Sequence, residues 1–131
     1  MKRDMDLLRK VLFYIEENYQ AGQGPVLVEI DGYDSGTIYE HCILAEQAGL
    51  IQNTVDCSDL SGRQCLVENL TNEGYDYLDK IRNDTVWNKT KEVIAQKGLP
   101  LVIGTIKTIS NAVISAMAEG VAKAIIENGG L

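Results

Sequence analysis

From Leu101 the chain reads "LVIGTIKTISNAVISAMAEGVAKAIIE" to Glu127, and no other stretch limits its possible folds so strongly. Val102, Ile103, Ile106, Ile109, Val113, Met117, Val121, Ala124 and Ile125 recur at helical spacing, opposed by Thr108, Asn111, Ser115 and Glu119. A helix of this length spans more than ~30 Å, longer than a small domain can cover. Its apolar stripe needs a cover: a second copy, another protein, a membrane, or its own domain. Pro100, Gly104, Lys107, Asn111 and several Ser and Thr make the segment too polar for a lipid-exposed span, so no membrane contact is expected. Ala112, Ala116 and Gly120 flank the stripe and allow close approach, which makes an isologous homodimer the simplest cover. Ile106, Ile109, Val113, Met117 and Val121 are its expected seam, and a carboxylate at Ile106 or Val113 should dissociate it. Docking back over the same domain is the alternative.

Upstream, the order of elements is helix, strand, helix, hairpin, helix, helix. Asp4 can cap a first helix carrying Met5, Leu8, Val11, Leu12, Ile15 and Tyr19 inward. "PVLVEI" from Pro25 to Ile30 reads as a strand between two turn-rich breaks. From Ser35 the helical period returns, with Ile38, Cys42 and Ala45 inward, His41 on the flank, and Gly49 as the terminator. "LIQNTVDC" and "RQCLVENL" form a hairpin around "SDLSG". Thr71 caps a helix with Tyr75, Leu78 and Ile81 inward and Tyr77 beside them. A further helix turns Val86, Trp87, Val93 and Ile94 inward and ends at Gly98. The fold expected is α+β and mainly helical, divided into residues 1–98 and an apolar helix over 99–131.

Two phrases carry a resemblance. "HCILAEQAGLIQNT" and "LTNEGYDYLDKIR" resemble the winged-helix phrases in which a helix ends in A-G-L-I before the first wing strand and L-T-x-x-G follows the wing. Together with the start "MKRDMDLLRKVL" and the run to "DTVWNKTKE", they resemble a family of short proteins encoded largely by phages, prophages and other mobile elements. The match covers roughly residues 1 to 95. It implies a winged helix-turn-helix with a two-stranded wing and a mobile-element setting, and no activity. One departure matters: only "DGYD" stands between the strand and the helix at Ser35, where a winged helix places a bracing helix.

Charge argues against a generic nucleic-acid binder. The chain carries 12 Lys and Arg against 19 Asp and Glu, a net charge of −7, and the segment "DSGTIYEHCILAEQAGLI" over 34–51 holds no cation. Affinity for phosphates rests on cations displacing counterions. If the chain reads DNA, Tyr39, Ile43 and Gln47 face bases while Arg63, Lys2 and Arg3 supply phosphate contacts. The rival reading is a protein-binding module, such as a phage factor that modulates a host or defence protein, in which the acidic surface is the functional one. No catalytic group is expected: the lone His41 has no paired nucleophile and reads as a core or boundary histidine, and no nucleotide-cradling glycine loop is present. Cys42, Cys57 and Cys65 match no zinc spacing, so they read as free thiols and neither metal nor cofactor is expected. The start alternates polar and apolar residues like no signal peptide, and a cytoplasmic chain is the expectation.

Overall fold

In the computed structural model, which describes residues 1–56 and 64–127, the elements run α1 (Met5–Asn18), β1 (Val26–Leu27), α2 (Ser35–Gln47), β2 (Ile51–Gln52), β3 (Val55–Asp56), β4 (Cys65–Val67), β5 (Asn69–Leu70), α3 (Asn72–Ile81), α4 (Asp84–Gln96) and α5 (Ile103–Glu127). The fold is α+β and mostly helical. Four helices start where a side chain satisfies a free amide: Asp4 accepts from Leu7 N–H at 3.0 Å, Asp34 from Thr37 at 2.8 Å, Thr71 from Gly74 at 2.9 Å and Asn83 from Val86 at 3.1 Å. The chain forms two compact units, Met1–Leu78 and Asp79–Leu131. This grouping places α4 with α5, whereas a division at 98/99 places it with the preceding elements.

In the first unit, α1 packs on both α2 and β5, so Leu7 is buried in addition to the row Met5, Leu8, Val11, Leu12 and Ile15. β1 joins the antiparallel sheet β1-β4-β3 through Val26↔Val67 and Leu27↔Leu66. Of the expected 25–30 strand, Val26 and Leu27 form the ladder and Val28 N–H adds a bond to Cys65 O at 3.3 Å. The chain then turns through 28–34 to the Asp34 cap, with no helix before α2. The hairpin keeps one register, from Ile51↔Leu70 and Gln52↔Asn69 to Val55↔Leu66 and Asp56↔Cys65. It is interrupted at Asn53, which has φ 54° and donates its side-chain amide to Glu68 at 2.7 Å. The hairpin tip, with Cys57 and Arg63, lies outside the described residues.

Two joints lock this unit. At the first, α2 ends at Gly49, whose φ of 76° suits a residue without Cβ, and Leu50 N–H bonds back to Ala45 O at 2.9 Å. Thr71 N–H donates to Leu50 O at 2.9 Å, and the Thr71 hydroxyl donates to Gly49 O at 2.5 Å while accepting from Gly74 N–H at 2.9 Å. Gly74 is buried directly against the Leu50 carbonyl, leaving no room for a Cβ. At the second, buried His41 accepts from Asp4 N–H through Nε2 at 2.8 Å and pairs through Nδ1 with Thr37 O at 2.8 Å. Those partners assign the ring proton to Nδ1. His41→Ala leaves both backbone groups without this partner and opens a hole, so a loss of about 2–4 kcal/mol is expected in urea unfolding of the full chain.

α3 buries Tyr77, Leu78 and Ile81. Tyr75, expected inward, is half-buried because its hydroxyl donates to Asn69 Oδ1 at 3.1 Å. In the second unit α4 and α5 pack together, with Val86, Trp87, Thr90 and Ile94 buried on α4 and Ile106, Ser110 and Val113 buried on α5. Gly98, at φ 66°, ends α4, and Leu99 N–H returns to Ile94 O at 3.1 Å. α4 has 13 residues and α5 has 25, so α5 outruns its neighbour by about a dozen residues, or ~18 Å.

Candidate interaction surface

The consequence of that mismatch is a stripe covered over half its length. Ile106, Ser110 and Val113 lie on one line of the helix, and the line continues through Met117, Val121 and Ala124. From Ile114 onward every described residue is exposed, including Met117, Val121 at 59% and Ile126 at 72%. Of the seam read from sequence, Ile106 and Val113 are buried within the protomer, Ile109 is half-buried, and Met117 and Val121 are bare. Scattered apolar residues on a surface are ordinary, but a contiguous run of them marks a contact site.

Beside the covered half runs an open groove of about 310 Å³, lined by Lys89, Val93 and Lys97 of α4 and its cap and by Ile109, Ala112, Val113, Ala116 and Met117 of α5. Its floor is apolar, its two charges are lysines, and no carboxylate lines it. Val93, read as inward from sequence, is half-buried because it forms part of this floor. By length and composition α5 would also suffice to cross a membrane.

The positions considered for DNA do not assemble in the same way. Lys2, Arg3 and Gln47 are exposed, Tyr39 and Ile43 are half-buried, and Arg63 lies outside the described residues. Asp4 meets α2 at His41, on the side away from Tyr39, Ile43 and Gln47. The outer face of α2 presents Glu40 and Glu46 instead. At its start the backbone N–H and then the hydroxyl of Thr37 hold Asp34 below the ordinary carboxylate range, so a carboxylate already occupies that helix end.

Thiol chemistry is muted in the core. Cys42 and Cys65 are buried and form no disulfide, and the Cys65 thiol bonded to Cys42, together with burial, pushes Cys42 far up, keeping it a thiol. Among the described residues no three His, Cys, Asp or Glu groups come together as a metal site.

Residues 2–100 match the model of the family described as "Hypothetical protein (DUF2513)". The chain belongs to the DUF2513 family. An "Uncharacterized protein" of Haemophilus influenzae (strain ATCC 51907 / DSM 11121 / KW20 / Rd) is 41% identical over 118 residues, covering 89% of this chain and 98% of the relative. A match of that length cannot fit within the first hundred residues, so it runs at least partway along α5. No solved structure matches.

Within this DUF2513 chain, the phrases that carried the resemblance touch one another. "AGL" and "LTNEG" meet at the Gly49, Leu50, Thr71 and Gly74 joint, and the opening "MKRD" meets α2 at His41. They are packing signatures, which is why they pointed to a fold and to no chemistry.

Proposed function

We propose that this chain is a non-catalytic binding module of winged-helix type that acts through protein contacts made by the bare half of α5. The observation that carries the reading is the apolar stripe that continues, uncovered, beyond the reach of α4. Winged-helix character is supported by β1, which precedes α2, joining the hairpin that follows it. The mobile-element setting implied by the resemblance adds a cytoplasmic host or phage protein as a partner class.

Charge favours protein over DNA. The unit that holds α2 carries 5 Lys and Arg against 14 Asp and Glu, a field that opposes approach to phosphates. A photo-crosslinking residue in place of Val121, in the full chain within its source cells, tests the reading. Covalent adducts with protein are expected, whether to a second copy or to another chain, and titration with duplex DNA at low ionic strength is expected to give no saturable complex. A Val121 probe that captures no protein, or tight DNA binding that salt abolishes, would overturn it.

A further inference from the structure

We propose that Cys65 is an oxidation site for small, uncharged hydroperoxides and that Cys42 resolves it, so that the oxidant staples α2 to β4. The site lies in the unit Met1–Leu78 and is independent of the protein-contact reading, which rests on α5. The two cysteines stand on elements that pack together, and their thiols are hydrogen-bonded to each other. Their surroundings differ. Cys65 belongs to the lining of an open cleft of about 150 Å³, with Glu29, Asp31, Tyr33 and Ile38, the last one turn before Cys42 on α2. Cys42 is 0% exposed and does not line that cleft.

Cys65 is itself only 1% exposed, so the oxidant has to be small. The cleft has several times the ~30 Å³ that a water molecule takes up, which admits hydrogen peroxide, and its carboxylates Glu29 and Asp31 disfavour an anion such as oxidised glutathione. The order of reaction follows from the pair. Cys42 is pushed far up by its hydrogen bond to Cys65, by burial and by the charge that Cys65 takes on, so Cys65 gives up the first proton while Cys42 donates to the resulting thiolate. The Cys65 sulfur attacks one peroxide oxygen, the O–O bond breaks, and Cys65 becomes a sulfenic acid as the other oxygen leaves in water, or in an alcohol from an organic hydroperoxide. The Cys42 sulfur then attacks the Cys65 sulfur, and its proton joins the departing hydroxide as a second water. Two thiols and one hydrogen peroxide give one disulfide and two waters, with two electrons passing from sulfur to oxygen. Burial keeps the first step slow, and contact between the thiols makes the second fast. The new bond closes a loop containing β2 and β3, which restricts the unfolded chain and stabilises the oxidised unit.

The full chain with Cys57→Ser, which keeps only this pair of cysteines, tests the proposal. It is treated with hydrogen peroxide while folded, quenched with catalase and alkylated in urea. Mass spectrometry should show two hydrogens lost per chain and a crosslink between the peptides holding Cys42 and Cys65, reversed by dithiothreitol, and urea unfolding of the oxidised chain should shift to a higher midpoint. Oxidised glutathione should leave both thiols open to alkylation. Two further variants read the order: with Cys42→Ser added, dimedone should label Cys65, and with Cys65→Ser added, Cys42 should stay unlabelled at the same peroxide dose. Circular dichroism checks their folding, and the crosslink in the parent chain stands as a test without them. Thiols that both remain alkylatable after peroxide, or that oxidise separately without joining, overturn the proposal. Labelling of Cys42 in the Cys65→Ser chain overturns the assignment of the reacting thiol, and glutathionylation faster than peroxide oxidation overturns the class of oxidant.

Discussion

Gly74→Ala is expected to cost about 3 kcal/mol or more, a large fraction of the stability of an ordinary domain. The methyl group would enter the Leu50 carbonyl, coming well inside van der Waals contact with its oxygen and within 3.0 Å of its carbon. The obstacle is backbone, so no rotamer change relieves it. Backing away also stretches the Thr71 N–H bond to Leu50 O and the Thr71 hydroxyl bond to Gly49 O, because both span the same joint. Thr71→Ala provides the contrast. It removes the cap without filling space and should cost only about 1–2 kcal/mol. Urea unfolding of both variants, followed by far-ultraviolet circular dichroism, checks the order. If Gly74→Ala is as stable as the native chain, α3 does not pack on Leu50 in this way.

Ile106→Asp should be comparably damaging, and for a reason that differs from loss of pairing. Ile106 is 0% exposed within one protomer, so burial would strip the new carboxylate of water. A loss of several kcal/mol is expected at neutral pH, eased in acid as the new carboxyl takes up a proton. Val121→Asp, at a position 59% exposed, should leave protomer stability within about 0.5 kcal/mol while weakening association. Thermal unfolding and sedimentation on the two variants separate these effects. A stable but monomeric Ile106→Asp would show that this face meets a second copy and not its own protomer.

The pair shows what the residues alone could and could not reveal. The stripe from Ile106 to Ile125 was legible because its period is local, and the terminators Gly49 and Gly98 were legible because a left-handed end favours glycine. Which half of the stripe is covered was not legible, since it depends on 13 residues of α4 meeting 25 of α5. The buried face of α3 runs through Tyr77, Leu78 and Ile81, while Tyr75 stays half-buried with its hydroxyl donating to Asn69 at the end of the hairpin.

Amide hydrogen exchange of the intact protein, measured at rising concentration, addresses the bare half of α5 most directly. Association through that half predicts that protection over residues 114–127 climbs with concentration while protection at the His41 and Gly74 joints stays constant. Rapid exchange over 114–127 at every concentration, in a protein otherwise protected, would contradict it.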